Sequence, residues 1–350
     1  MASVAFPSID ELRDDLVTVI VPARNEENYI EHCLDSIVTQ TERNLQIVVV
    51  DGASTDRTAE VVRSYIERDP RIELQENPAA ITPKSLNVAL AAARGKWLVR
   101  VDAHATVPPD YVKRAVHHLE NGDWGGVGGR KDGVGITPAG RAIAAAMASR
   151  FGVGNSLYHY GTQVRPTEHI PFGAYDTALL IELGGWDERL ITNQDFEMDY
   201  RIRLAGRELL FDPDITIEWL SRQTIGALFR QYRRYGRGKA DVARLHPESL
   251  RLRHLAAPAL VASWALAAAV AAKSPRVSAA ATLPYLAALT AASAVTAKKV
   301  RERQAKATVP AAFVAMHVSW GIGFWEGLLQ NPRKLPALRL PGKRKGNRRQ

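Results

Sequence analysis

Carboxylates, an imidazole and hydrogen-bond donors follow three apolar segments in the first third of the chain. In chain order the groups are Arg24-Asn25-Glu26, Asp51-Gly52-Ala53-Ser54-Thr55-Asp56 and Asp102-Ala103-His104. A few convergent polar groups of these types are what fixes a polar or charged ligand in a protein site. Polar turns alone would also end each segment, but the coincidence of three acidic or donor-rich groups favours a ligand site.

The segments that precede these groups predict buried strands. Residues 16–21 (LVTVIV), 45–50 (LQIVVV) and 97–101 (WLVRV) are continuous apolar runs rich in β-branched residues, and 72–74 is a shorter one. Segments with helical spacing alternate with them. This alternation predicts an α/β fold with a mainly parallel central sheet, in which ligands bind at the carboxyl ends of the strands.

The middle of the chain is less regular. Its predicted elements are a mobile glycine-rich loop at 125–140, a helix at 193–205, strands at 209–211 and 216–219, and a basic helix at 224–245 broken near Gly236 and Gly238.

Composition narrows the function classes. The chain has 350 residues, 46% hydrophobic and 24% charged, which excludes a disordered, collagenous or disulfide-scaffold protein. Cys33 is the single cysteine, so an intrachain disulfide and a cysteine-based zinc site are excluded. No charged segment leads into an apolar core at the N-terminus, so the N-terminal part is expected in the cytoplasm.

Three apolar stretches near the C-terminus are candidates for membrane helices. Residues 255–272 and 277–297 carry no charge, and 308–329 is interrupted by His317 and Glu326. A buried helical hairpin in a soluble domain is the alternative for the first two. Basic residues flank the stretches, and positive residues stay cytoplasmic, which predicts a membrane hairpin. The third stretch is expected to lie in the interface or re-enter, with a third crossing as the alternative.

The motifs resemble those of glycosyltransferase family 2, which has the GT-A nucleotide-sugar fold. The segments that carry the resemblance follow the family's order: VIVPARNEENYIEHCLDSI, VVVDGASTDRTAEVV, GKWLVRVDAHATVPPDYV, GGWDERLITNQDFEMDYRIRLAG and QYRRYGRGK. With its apolar C-terminal stretches, the chain is most similar to membrane-associated bacterial exopolysaccharide glycosyltransferases of the succinoglycan type. The implied domains are an N-terminal extension (1–15), a GT-A catalytic domain (16–250), membrane-associated helices (251–330) and a basic cytoplasmic tail (331–350).

The resemblance implies a nucleotide-sugar donor, with UDP as its nucleotide. Asp51 matches the aspartate that accepts the N3–H of uracil, and Lys84 would reach ribose or phosphate unless it is a solvated helix residue. The implied donor-binding residues are Pro22, Arg24, Glu26, Asp51, Lys84, Asn87, Asp102 and Arg234.

Asp102 matches the first residue of the family's DxD motif, which here reads Asp-Ala-His. A divalent cation held by one or two carboxylates is the usual partner of a diphosphate. His104 would be the second ligand of Mn²⁺ or Mg²⁺, and its imidazole favours Mn²⁺ somewhat. A surface turn is the alternative for His104, and the departure from DxD leaves the metal open.

Asp195 matches the aspartate of the family's ED motif, with Gln194 in place of glutamate. An inverting transfer needs a carboxylate that takes the proton of the acceptor hydroxyl, so the resemblance implies that Asp195 is the general base. At the start of a helix the N-terminal field would keep Asp195 ionised. Glu197 and Asp199, on the same helix, are expected to be structural or solvated.

The segment from Gln231 to Tyr235 resembles the QxxRW motif of processive relatives. Arg234 would bind diphosphate and Tyr235 would stack on a sugar, and a basic amphipathic helix at a membrane surface is a compatible alternative. Processive synthases carry more membrane helices than this chain, so addition of a single sugar is predicted.

The acceptor side is assigned to Asp176, Trp186 and Asp187, together with Tyr235. Family members often carry basic residues after the Gly-Ala turn, whereas Asp176 is acidic here. Contacts with an acceptor phosphate are therefore not predicted at this turn.

The implied enzyme is an inverting hexosyltransferase that acts at the cytoplasmic face of the cell membrane. Its expected partners are a UDP-sugar, a lipid-linked glycan or polysaccharide acceptor, and membrane lipids, with no nucleic acid. Two alternatives stay open. A nucleotidyltransferase or sugar-phosphate transferase would use a similar sheet, although PARNEEN lacks the glycine repeat of its pyrophosphate loop. A nucleic-acid-binding protein would use the basic tail.

Overall fold

The computed structural model describes residues 5–330, which fall into two compact units. Unit 1 runs to Gly129 and resumes over Gln163–Thr216, and unit 2 comprises Arg130–Thr162 and the described residues from Ile217 onward. Residues 130–162 and 217–250 group with the apolar helices in unit 2, and the predicted domain bounds stay a prediction. The predicted tail, 331–350, lies outside the described residues.

The strands and helices are given in chain order. The strands are β1 (Arg13–Ala23), β2 (Leu45–Asp51), β3 (Ile72–Glu76), β4 (Gly95–Arg100), β5 (Ala105–Thr106), β6 (Trp124–Val134), β7 (Arg165–Thr167), β8 (Ala174–Asp176) and β9 (Glu208–Leu220). The helices are α1 (Ile30–Val38), α2 (Thr58–Ile66), α3 (Thr82–Ala92), α4 (Tyr111–Glu120), α5 (Pro138–Met147), α6 (Arg150–Val153), α7 (Thr177–Glu182), α8 (Gln194–Leu204), α9 (Ile225–Leu245), α10 (Leu252–Val270), α11 (Pro275–Ala297) and α12 (Arg303–Leu329).

One sheet holds the strands in the order β3-β2-β1-β4-β8-β6-β9-β5, and β7 pairs with β9. The β3-β2-β1-β4 part is parallel, whereas β8 runs antiparallel to both β4 and β6. The predicted α/β class with a mainly parallel central sheet is confirmed. In unit 1 the apolar runs lie in its core, where Ile20, Val48 and Leu98 are fully buried.

The glycine-rich segment predicted as a loop is instead strand β6. Its glycines permit close approach of neighbouring chain: a Cβ at Gly129 would lie 1.7 Å from the backbone oxygen of Ile215. A Cβ at Gly126 would lie 2.7 Å from the ring of Tyr175. Glycine in a strand often marks such a close approach, and this explains why the composition misled the prediction.

Unit 2 is built around α12, which packs against α9, α5, α10 and α11. Helix α9 is continuous, contrary to the predicted break, because Gly236 is a packing position rather than a hinge. A Cβ there would meet the Trp320 carbonyl oxygen at 2.1 Å, and one at Gly323 would meet the Arg233 carbonyl oxygen at 2.0 Å. Small residues on both helices therefore bring the two backbones together.

Three helices are long and apolar enough to cross a membrane: α10, α11 and α12. Helices α10 and α11 expose apolar side chains such as Leu266 (61%) and Val295 (60%), whereas half of the apolar window of α12 is buried inside the protein. This pattern suits helices whose outer surfaces face lipid, and it disfavours the alternative of a buried hairpin in a soluble domain. Whether α12 crosses or lies in the interface stays a prediction.

Candidate active site

The loops after β1 and β2 are bonded to each other at the carboxyl edge of the sheet. Asn25 adopts a positive φ of 55°, and its backbone N–H donates to Ser54 Oγ at 2.9 Å. The backbone N–H of Glu26 donates to Thr58 Oγ1 at 2.7 Å. Asp51 accepts the N–H of Ser54 at 3.2 Å, which closes the second loop. The first two polar groups of the sequence thus form one surface.

The third group joins this surface through a histidine–glutamate contact. His104 Nδ1 lies 3.1 Å from Glu26 Oε1, and both side chains are partly exposed. Behind them, the Sγ of buried Cys33 donates to the Asp102 carbonyl oxygen at 3.5 Å. The structure therefore brings together two residues that were predicted for different tasks, donor binding and metal ligation.

A buried arginine on β4 connects the two carboxylates with the most important predicted roles. Arg100, whose side chain is 5% exposed, contacts Asp102 Oδ1 through Nη2 at 2.9 Å and through Nε at 3.0 Å. Its Nη1 contacts Asp195 Oδ1. One guanidinium thus holds the predicted diphosphate-side aspartate and the predicted general base at the same edge of the sheet.

The charge of Arg100 is secured by these partners. Burial alone would lower its pKa, but the carboxylates of Asp102 and Asp195 outweigh burial and raise the pKa above its usual value. The guanidinium also lies 5.5 Å from the ring centre of Phe172. The carboxylates of Asp102 and Asp195 therefore both contact a guanidinium that stays protonated.

The position of Asp195 depends on a buried ion pair one turn further along α8. Arg201 donates to Glu197 at 2.7 Å, and both side chains are essentially inaccessible. The same guanidinium donates to the carbonyl oxygens of Leu183 and Gly185, each at 2.7 Å. Glu197 is therefore structural, which is one of its two predicted roles. It holds Arg201, which connects α8 to the turn before Trp186.

Asp199, on the same helix, is structural as well. It accepts from the Ile170 N–H at 2.9 Å and from the Tyr175 hydroxyl at 3.1 Å, and it lies 2.6 Å from His169 Nδ1. Burial raises the pKa of Asp199, while the contacts with His169 and Ile170 act against that shift. The buried contacts of Arg201 and Asp199 with other segments thus fix the helix that presents Asp195.

Asn87 and Lys84 of α3 contact the turn that carries Trp186. The Asn87 amide donates to the Trp186 carbonyl oxygen at 2.9 Å and accepts the Trp186 N–H at 2.8 Å. Lys84 Nζ lies 3.1 Å from Glu188 Oε1, and its side chain is 14% exposed, so Lys84 is not a solvated residue. The structure gives both residues a role in holding this turn, and their predicted contacts with the nucleotide stay predictions.

The acceptor-side aspartates have partners of their own. Asp176 caps α7 by accepting the N–H groups of Ala178 at 3.0 Å and Leu179 at 3.5 Å. Asp187 pairs with Arg189 at 2.6 Å. Trp186 is buried in the core cluster of unit 1, and its predicted place on the acceptor side stays a prediction.

The remaining predicted residues are divided between the units. In unit 1, Pro22 pairs in register with Val50, and Arg24 donates to the Ala80 carbonyl oxygen at 2.9 Å. In unit 2, the hydroxyl of Tyr235 accepts from Gln231 Nε2 at 2.9 Å, and Arg234 lines a cleft with other arginines.

The chemistry of Asp102 and His104 fits a divalent cation that is shared with a substrate diphosphate. Within residues 5–330 no group of three His, Cys, Asp or Glu side chains is spaced to hold a metal by itself. Mg²⁺ and related ions are commonly held by one or two carboxylates, with substrate phosphates and water completing the shell. The carboxylate of Asp102 matches this donor set, and the imidazole of His104 would add a nitrogen ligand.

Sequence reasoning missed Arg100, although a signal was present. An arginine inside the apolar run WLVRV cannot be buried without a partner, since buried charges are paired. The nearest acid along the chain, Asp102, follows two residues later. The contact with Asp195 spans 95 residues, and no local pattern reveals it.

Known proteins similar to this chain handle sugars. The family model "Glycosyl transferase family 2" matches residues 18–181. The succinoglycan biosynthesis protein ExoA of Rhizobium meliloti (strain 1021) is 32% identical over 336 residues, covering 94% of this chain and 99% of the relative. A dolichyl N-acetyl-alpha-D-glucosaminyl phosphate 3-beta-D-2,3-diacetamido-2,3-dideoxy-beta-D-glucuronosyltransferase of Methanococcus voltae is 26% identical, covering 66% of this chain and 74% of the relative. The mannosyltransferase PcManGT from Pyrobaculum calidifontis, solved with GDP-Man and Mn²⁺, shares 27% identity, a TM-score of 0.57 and 86% coverage of each chain.

Proposed function

Since the chain belongs to glycosyl transferase family 2, and is a glycosyltransferase with the GT-A fold, we propose that it transfers a hexose from a UDP-sugar to a lipid-linked or membrane-proximal glycan with inversion. The predicted family and fold are confirmed. The similarity to glycosyltransferases favours sugar transfer over the alternatives of a nucleotidyltransferase and of a nucleic-acid-binding protein. Location at the cell membrane, with the catalytic unit on the cytoplasmic side, is part of the proposal.

The observation that carries the proposal is the bridge from Arg100 to Asp102 and Asp195. Sugar transfer needs one group beside the leaving diphosphate and another beside the incoming hydroxyl. Two carboxylates on one guanidinium supply such a pair at the edge where a parallel sheet binds ligands. Asp51, whose carboxylate accepts the Ser54 N–H, is the proposed contact of the uracil base of the donor.

The proposed reaction needs one proton acceptor. Asp195 removes the proton of the acceptor hydroxyl as its oxygen bonds to the anomeric carbon and the bond from that carbon to the diphosphate oxygen breaks. The nucleoside diphosphate leaves, and the proton stays on Asp195 until solvent takes it. Arg100 holds this carboxylate in position before the transfer through its contact with Asp195 Oδ1.

Asp102 and His104 are the proposed ligands of Mn²⁺ or Mg²⁺. The ion would neutralise charge on the leaving diphosphate when bound. Glu26 orients the imidazole of His104 through its 3.1 Å contact, so the residues present can hold a ligand in place before donor binds.

The donor sugar is the first property to test. The purified full-length protein in detergent is incubated with UDP-, GDP- and dTDP-sugars in Mn²⁺, Mg²⁺ or EDTA, and the released nucleoside diphosphate is quantified. We expect slow hydrolysis of one UDP-sugar that EDTA abolishes. Selective hydrolysis of a GDP-sugar would replace the proposed nucleotide, and release of pyrophosphate in place of nucleoside diphosphate would contradict the reaction.

A further inference from the structure

Five arginines line an open cleft of about 370 Å³ in unit 2. Four of them belong to α9, where spacings of three, four and seven residues place side chains on one face of a helix. The fifth lies between β9 and α9. Together with Ala227 these residues form what we call the arginine cleft: Arg222, Arg230, Arg233, Arg234 and Arg237.

The arginine cleft has much more positive than negative charge. Within residues 5–330, no acidic side chain lines it. One carboxylate lies beside it: Glu326 of α12 accepts from Arg233 Nε at 2.8 Å and from Arg237 Nε at 2.7 Å. Five guanidinium groups against one carboxylate repel one another, so an anion with more than one negative charge would stabilise the cleft.

The arginines stand on a fixed helix. The contacts with Glu326 hold two of them, and close packing at Gly236 and Gly323 fixes the backbone of α9 against α12. Guanidinium groups match phosphate oxygens in a planar, bidentate geometry, which a pre-positioned set strengthens. The number and fixed positions of the guanidinium groups therefore favour binding of a diphosphate or polyphosphate.

The neighbouring helices indicate where this phosphate comes from. Helix α9 packs along α12, and α12 is long and apolar enough to cross a membrane. A phosphate bound by α9 is thus bound by a helix that contacts a candidate membrane helix. A phospholipid headgroup with a single negative charge matches five guanidinium groups less well than a diphosphate does.

We propose that the arginine cleft binds the diphosphate of a polyprenyl diphosphate, the chemical class that anchors a lipid-linked acceptor. The inference rests on the proposed function, because it supplies the binding site for that acceptor's anchor. It differs from the role predicted for Arg234 alone, which was to bind diphosphate in the manner of the QxxRW motif. Here the ligand belongs to the acceptor, and the site is the whole cleft.

Calorimetric titration of the full-length protein in detergent tests the proposal, with farnesyl diphosphate as the probe. The test variant is the double substitution Arg222→Gln and Arg230→Gln, which leaves the arginines bonded to Glu326 intact. The matched control, Arg43→Gln with Arg63→Gln, removes two charges from exposed positions of unit 1. We expect farnesyl diphosphate affinity to fall about tenfold or more in the test variant and to change less than about twofold in the control.

Inorganic pyrophosphate, short-chain phosphatidylglycerol and UDP separate the possible ligands. Tighter binding of farnesyl diphosphate than of the first two, with UDP affinity equal in wild type and test variant, supports the proposal. Equal binding of inorganic pyrophosphate, preference for phosphatidylglycerol, or loss of UDP affinity in the test variant would each overturn it. Absence of sugar transfer from any UDP-sugar to a lipid-linked acceptor by the wild type would refute the proposed function, but it would leave the farnesyl diphosphate result standing.

Discussion

The two units bury different things. Unit 1 buries charge: Arg100 and Arg201 are inaccessible and bonded to carboxylates, and Asp199 lies among hydrogen-bond donors. Unit 2 buries small residues, such as Gly236 and Gly323, whereas the five arginines of the arginine cleft line an open surface. The first arrangement fixes a few side chains relative to one another, whereas the second fixes backbones and leaves charges available to a ligand. We therefore expect substitutions in unit 1 to reduce stability and activity by leaving charges unpaired. In unit 2 we expect substitutions to reduce stability by steric overlap.

The largest expected effect concerns the proposed general base. Asp195→Asn removes the proposed proton acceptor but keeps the shape and a contact with Arg100, so turnover should fall roughly 10²- to 10⁴-fold while UDP affinity is retained. Transfer to a lipid-linked acceptor and calorimetric UDP binding measure the two quantities. Asp123→Asn, at a side chain that is 88% exposed, is the control. Full turnover in Asp195→Asn would show that another group accepts the proton.

Arg100 tests the buried charges of unit 1 directly. Arg100→Ala leaves two partly buried carboxylates without their shared partner, and we expect the free energy of unfolding to fall by about 3 kcal/mol and turnover to fall with it. Arg100→Lys retains the charge but cannot bond both carboxylates as a planar fork, so stability should recover more than activity does.

Thermal unfolding and turnover, measured on both Arg100 variants, check these expectations. Equal recovery of stability and activity in Arg100→Lys would mean that charge alone matters. The geometric role of the bridge would then be wrong.

The steric expectation for unit 2 has a matched pair on one helix. A Cβ at Gly236 meets backbone at 2.1 Å, while one at Gly226 meets nothing nearer than a flexible arginine tip at 3.6 Å. Gly236→Ala should destabilise the protein in detergent by about 1–3 kcal/mol. Gly226→Ala should be neutral or stabilising by up to about 1 kcal/mol, because alanine favours helix. Equal melting temperatures for the two variants would contradict the close packing of α9 on α12.

The smallest expected effect is that of Asn87→Ala, which tests whether Asn87 holds the Trp186 turn or binds the nucleotide. Asn87→Ala leaves the N–H and carbonyl oxygen of buried Trp186 without their amide partner, which should cost about 1–2 kcal/mol of stability. UDP affinity should change little if Asn87 acts only through the turn. A large loss of UDP affinity without a change in melting temperature would restore the predicted nucleotide contact.

Sequence alone predicted the elements that local pattern controls. The runs before Asp51 and Asp102 form strands because buried apolar residues dominate them, and the loops after them meet because parallel strands end at one edge. It could not predict the partner of Arg100 at Asp195, which depends on how distant segments fold together. Glycine was read as flexibility at Gly129 and Gly236, because composition does not distinguish a free backbone from one that another backbone touches.

The way the chain passes between the units limits how the enzyme can be divided. Strands β6 and β9 each start in unit 1 and end in unit 2. Helices α5 and α9 pack against α12 and against each other. A truncated protein that stops before α10 would expose the glycine-lined side of α9 to water. A water-soluble form of the enzyme should therefore be sought by redesigning the outer surfaces of α10 and α11, with α12 kept in place, rather than by cutting the chain.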